Sequence, residues 1–199
     1  MKLSILLLSI LLLNVLTFNT SPDTRYDWDQ HTDGEDLSIS LANEPGVIFV
    51  VFFSKEVDGN DVLSQANDSL RNVLKNDLIN HDEVVYTEVD MSETNEQLES
   101  YTKLAQTDMG IDTALLDQGP IVAVMNRGEG AWVHGQGQVV SNDKAWGAGR
   151  DSFEEVLDSI ETFIDEAKDR KTGGTGITTT SKYAKRGGEI SLGEQGPSY

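Results

Sequence analysis

The sequence predicts an α/β fold, a mixed β-sheet flanked by helices, and three observations carry that prediction. Val47 to Phe53 is an unbroken β-branched and aromatic run, the pattern of a central strand buried on both faces. Val62, Leu63, Ala66, Leu70, Val73 and Leu74 recur at three- and four-residue steps, as do Phe153, Val156, Leu157, Ile160, Phe163, Ile164 and Ala167, so each set forms one apolar stripe of a helix. Between these helices, Gln118-Gly119-Pro120 opens the apolar run Ile121 to Met125. Asn126 to Gly130 then supplies turn chemistry, and Ala131 to His134 returns as the second arm of a hairpin.

At the amino terminus, Met1-Lys2 precedes Leu3 to Phe18, apolar except for Ser4, Ser9, Asn14 and Thr17. At about 1.5 Å per residue this segment reaches roughly 24 Å as a helix, short of a hydrocarbon core of about 30 Å. A short leucine run after a lysine fits a cleaved secretory signal. The small-x-small pattern is poor, however: Val15 and Thr17 are the best pair, and Pro22 follows Ser21. We therefore expect residues 1–20 to be an anchor or signal segment, with Leu3 to Phe18 in the bilayer as a short single pass. Lys2 before the run and Asp23, Asp27 and Asp29 after it place the domain on the non-cytosolic or non-matrix side. Residues 21–36 read as an acidic linker.

The domain is expected over 37–170. Leu37, Ile39 and Leu41 alternate with polar or small residues, giving a short strand or, as the alternative, a brief helix. Pro45-Gly46 ends it before the 47–53 strand. Ser54 to Asp61 is a polar loop, followed by the first striped helix. Val84 to Asp90 is the second parallel strand, reached by a helical crossover. Leu98, Tyr101, Leu104 and Ala105 mark another amphipathic helix, and an irregular segment runs from Gly110 to Gln118. Gly119-Pro120 can hold a cis peptide, because the tertiary amide narrows the trans preference to about 0.5–1 kcal/mol; a trans bond in an ordinary turn is the alternative. Ser152-Phe153-Glu154-Glu155 is a capping-box pattern opening the last helix. Residues 171–199 are rich in Gly, Thr and Ser with basic Lys182, Lys185 and Arg186, and are expected to form an extended tail without a buried face.

Composition removes several classes of function. A net charge of -19 opposes a phosphate backbone, so no nucleic-acid partner is expected. With no cysteine the chain has no disulfide, thiolate metal site or dithiol chemistry. His31, His81 and His134 lack metal-ligand spacing, and no metal or other cofactor is expected. Asp58, Asn60 and Asp61 suggest a calcium loop, but Gly59 is misplaced and the glutamate at the twelfth position is missing, so a turn is the simpler reading. Gly128, Gly130, Gly135 and Gly137 do not precede a helix as a phosphate loop would. Ser54, Ser69, His81 and His134 form no recognisable nucleophile-and-base motif. Asn67-Asp68-Ser69 is a possible glycosylation sequon, usable on a secretory route.

The order strand, helix, strand, helix, hairpin, helix, with Gly119-Pro120 opening a hairpin whose second strand ends in Gly135, resembles the thioredoxin-like family, the thioredoxin and protein disulfide isomerase type, from about Leu37 to Lys168. The likeness is strongest from Val50 to Asn60. In active thioredoxins a similar strand runs into Trp-Cys-Gly-Pro-Cys. An ungapped alignment places Val57 and Asn60 at the two cysteines and Val51 at the family's buried aspartate. The resemblance thus implies a scaffold without redox chemistry, because a dithiol enzyme needs a thiolate of lowered pKa. It also implies that Val57, Asp58, Gly59 and Asn60, with Gly119 and Pro120, border a protein-binding groove.

Two functions are expected from these readings. The first is a non-catalytic, thioredoxin-like, membrane-anchored accessory subunit of a larger membrane complex, for instance a respiratory-chain complex of the mitochondrial inner membrane. Its partners are other protein subunits and, through Leu3 to Phe18, the lipid bilayer. The alternative is a disulfide-isomerase-like client binder of the ER and secretory pathway, without redox activity.

Overall fold

The computed structural model describes residues 31–44, 46–56, 59–78, 81, 83–135, 150–171 and 187–192, with the backbone alone for 150–155, 170 and 171. The elements run α1 Gly34–Asn43, β1 Ile48–Ser54, α2 Asp61–Leu78, β2 Val84–Asp90 and α3 Leu98–Thr102, which continues as a π-helix over Lys103–Asp108. A 3₁₀ turn Thr113–Asp117, β3 Ile121–Asn126, β4 Glu129–His134, α4 Arg150–Lys171 and β5 Gly187–Ser191 complete them. The architecture is mixed α/β: one five-stranded sheet in the order β2-β1-β3-β4-β5, with helices packed on it.

β1 is an interior strand, between β2 and β3, and its uninterrupted apolar sequence lets it be buried on both faces. All seven of its residues are buried. It pairs in parallel with β2, Ile48 opposite Val84 through Ser54 opposite Asp90. On its other side it pairs antiparallel with β3, Phe53 opposite Ile121 through Phe49 opposite Met125. The two-residue period of the strand then divides the core. Ile48, Val50 and Phe52 pack with Leu70 and Leu74 of α2 and with Ile160, Phe163 and Ile164 of α4. Phe49, Val51 and Phe53 pack on the other face with Leu37 and Leu41 of α1 and with Tyr101, Leu104 and Met109. Each large apolar side chain so buried contributes roughly 1.5–3 kcal/mol.

Residues 37–41 form a helix rather than the short strand. Leu37 and Leu41 are fully buried while Ile39 is 45% exposed, a four-residue period in which alternate positions point apart. Local capping decides it: the Asp33 side chain accepts from the backbone N–H groups of Glu35 and Asp36. Part of the expected acidic linker is therefore the start of α1. The α3 region turns wider than an α-helix, with the Met109 N–H donating to Leu104 O at 2.9 Å and the Ile111 N–H to Ala105 O at 2.8 Å. The β3–β4 hairpin turns on Arg127 and Gly128, whose φ values of 53° and 75° are both positive, as a type I′ turn requires. α4 begins at Arg150, so Ser152 lies inside its first turn instead of capping it.

The tail is not wholly without a buried face. β5 pairs antiparallel with β4 and buries Ile190 to 3% exposure. The basic Lys182, Lys185 and Arg186 lie outside the described residues.

The expected membrane-anchored accessory subunit is corrected by the helices themselves. Among the described residues no helix is long and apolar enough to cross a membrane. α4 has 22 residues, enough for about 33 Å, but only one face is apolar, and Asp158, Glu161, Asp165 and Asp169 lie exposed on the rest of its surface. α2 likewise carries Asp61, Asp68, Arg71, Lys75 and Asp77. The single-pass, signal-anchored subunit of a respiratory-chain complex, its lipid-bilayer partner and its single-pass location in the mitochondrial inner membrane or the ER find no spanning helix among the described residues and are not retained. The segment on which they rested, Leu3 to Phe18, lies outside the described residues.

Candidate functional site

The chain leaves β1 for α2, which lies on the face carrying Phe52, and leaves β2 for α3, which lies on the face carrying Phe53. Two loops that depart toward opposite faces from neighbouring parallel strands open a crevice at the strands' carboxyl ends, the usual place for a ligand in such sheets. A cavity of about 620 Å³ lies there. Lys55, Glu56 and Asn60 line it from the first loop, Asp90, Ser92, Glu93 and Thr94 from the second, and Asp117 from the 3₁₀ turn.

The second loop is tied by its own side chains. Asp90 Oδ1 accepts from the Ser92 N–H at 2.9 Å and from its hydroxyl at 2.5 Å. Ser92 Oγ accepts in turn from the Glu56 N–H at 2.9 Å, which joins the two loops. Asn95 Nδ2 donates back to Asp90 O at 2.6 Å. On the opposite wall Lys55 Nζ donates to Asp117 Oδ1 at 2.9 Å. That hydrogen bond, above all, holds the Lys55 ammonium pKa above its ordinary value. With Lys55 matched to Asp117, the carboxylates of Glu56, Asp90 and Glu93 leave the cavity acidic.

Asn60 closes the first loop as a helix cap. Its Oδ1 accepts from the Leu63 N–H at 3.1 Å, and its backbone carbonyl accepts from the Ser64 N–H at 3.2 Å. Gly59 stands beside it with φ 77°. Val57 and Asp58 lie outside the described residues. Gly119 and Pro120 lie close by along the sheet, since Ile121 pairs with Phe53, but both are buried and neither lines the cavity. The Pro120 carbonyl accepts from the Gly135 N–H at 2.8 Å, and the Gly119–Pro120 bond is trans. Of the residues expected at the groove, Asn60 alone among those described reaches the cavity wall.

The remaining candidates are dispersed. Asn67 is 2% exposed and its Nδ2, the atom that would carry a glycan, donates inward to Lys55 O at 3.2 Å. His134 Nε2 donates to Leu115 O at 2.9 Å, which fixes the hydrogen on that nitrogen. His81 Nδ1 accepts from Lys168 Nζ at 2.8 Å. His31 bridges Tyr101 Oη at 3.1 Å and Thr87 Oγ1 at 2.9 Å. Among the described residues no group of three or more His, Asp or Glu could hold a metal ion. Ser54 is buried, its carbonyl accepting from the Met91 N–H at 2.7 Å.

Sequence reasoning passed over Lys55, Asp90, Ser92 and Asp117. Asp90-x-Ser92 just after a strand is a readable loop signal. The Lys55–Asp117 contact joins residues far apart in the chain and gives none. Comparison of the chain with protein-family models, with curated proteins and with solved structures returns no match.

Proposed function

We propose that this chain is a non-catalytic, thioredoxin-like protein-binding domain that holds an extended, basic polypeptide segment in the crevice at the carboxyl ends of β1 and β2. The observation that carries this reading is Asn60. At the position aligned with a cysteine it supplies a carbonyl oxygen to the Leu63 N–H, so the loop shapes a helix start and a cavity wall without a thiol. The order of elements, with 49–53 paired to 121–125 in one mixed sheet, supports the family reading. The ligand's charge follows from the wall: Glu56, Asp90 and Glu93 favour Lys or Arg side chains and disfavour acidic ones.

The test is a titration of the isotope-labelled chain with an extended Lys/Arg-containing peptide and with its Glu-substituted counterpart. Shifts centred on Asn60, Asp90, Ser92 and Thr94 with the basic peptide only, weakening as salt rises, are expected. Equal response to both peptides, or shifts centred elsewhere, would refute the reading. Disulfide reduction by the thiol-free chain would refute its non-catalytic part.

A further inference from the structure

β5 has no part in the crevice, and it is seated in a sequence-selective way. It lies along β4 with Val133 opposite Gly187 through Glu129 opposite Ser191. Gly188 faces Trp132, and a Cβ there would stand 2.7 Å from Trp132 Nε1 and 3.3 Å from Cε2, so a larger residue must push the indole aside. Ile190, two residues on and on the same face, joins the apolar cluster of Leu37, Leu41, Met125 and Trp132. Leu192 packs partly on that cluster, and its N–H donates to Gly128 O at 2.7 Å. Glu189 and Ser191, of opposite parity, are exposed. The β4 edge therefore reads an extended segment of pattern Gly-x-Ile-x-Leu. Backbone hydrogen bonds supply affinity, and the alternate side chains supply selectivity.

The occupant seen here is joined to α4 through residues 172–186. A tethered strand meets its edge at an effective concentration on the order of millimolar, so a free segment of equal fit at micromolar concentration is held off until the tethered one is weakened. We propose that the outer edge of β4 is a strand-binding site for extended segments of pattern Gly-x-Ile-x-Leu, and that residues 188–192 are its built-in competitor. A second polypeptide carrying that pattern takes the edge by displacing them.

Ile190→Asp in the full chain tests this, because it puts a carboxylate in the apolar seat and leaves β4 unaltered. A fluorescent peptide of residues 185–194 should bind the I190D chain at least ten-fold more tightly than the unaltered chain. The same peptide carrying G188V should lose that gain. Equal affinity for the two chains, or undiminished binding of the G188V peptide, overturns the proposal. If the I190D chain does not fold, the unaltered chain in millimolar peptide gives the second measurement. Residues 187–192 should then lose amide-exchange protection while β4 keeps it, and unchanged protection overturns the proposal. Exchange of tails between two copies, seen as a dimer cross-linked between β4 of one and residues 187–192 of the other, is the same recognition in trans and supports it.

Discussion

Replacing Asn60 separates a cap from a generic polar residue. Its Oδ1 lies 3.1 Å from the Leu63 N–H at the start of an 18-residue helix, one of four donors that the helix cannot satisfy internally. Asn60→Ala removes that acceptor and should destabilise the fold by about 1 kcal/mol, within a range of roughly 0.5–2. For a domain of this size the midpoint of thermal unfolding should fall by about 2–4 °C. Asn60→Gly should lose only a few tenths of a kcal/mol, because glycine tolerates the cap backbone and admits water. Asn60→Asp keeps the acceptor and adds a charge that the helix N-terminus favours, whereas the carboxylates across the cavity oppose it. Both electrostatic effects are screened by salt, so this variant should approach the parent at high ionic strength. Thermal melts of the three variants by circular dichroism give the ranking. An Ala variant as stable as the parent, or a Gly variant as damaging as the Ala one, would refute the capping role.

Three further outcomes are expected. Arg127 holds φ 53° in the hairpin turn, a backbone region that asparagine tolerates better, so Arg127→Asn should stabilise by about 0.5–1 kcal/mol in denaturant melts. Phe163 is 2% exposed against the sheet, and Phe163→Ala should destabilise by about 3–5 kcal/mol, whereas Glu161→Ala on the exposed side of the same helix should change stability by less than about 0.5. Burial, followed by the charges of Asp33 and Asp36, raises the Tyr101 hydroxyl pKa above its ordinary 10.0. The folded state then binds that proton more tightly than the unfolded one, so this contribution is fully present below pH 10.0 and is lost as pH rises through the folded value. Melting points measured from pH 8 to 11 should fall at the alkaline end, and less steeply in Tyr101→Phe.

The sheet was legible wherever burial imposed a period. Val84–Asp90 is bounded as read, and the run from Val47 begins one residue later, at Ile48. Residues 37–41 show where the signal is degenerate: alternate apolar residues fit either element, and the Asp33 cap with the four-residue burial of Leu37 and Leu41 decided for helix. The tail strand was hidden by composition. Gly187-Gly188 lowers strand propensity, yet glycine is what its place beside Trp132 requires, and Ile190 and Leu192 do keep a two-residue period. At the candidate site, the loop containing Asn60 was singled out only through a resemblance to a known family. Its capping bond and the Lys55–Asp117 pair depend on tertiary placement, which local spacing does not encode.

A strand buried on both faces has a consequence during synthesis. Val50-Val51-Phe52-Phe53 carries no charge and no proline, and one of its flanks is not covered until Ile121–Asn126 has been made. At about 5–20 residues per second that delay is on the order of 4–15 s. Throughout it the nascent chain presents a sticky, unpaired ribbon. Proteostasis machinery that shields emerging apolar segments should therefore govern the yield of this protein more than the equilibrium stability of the finished sheet does.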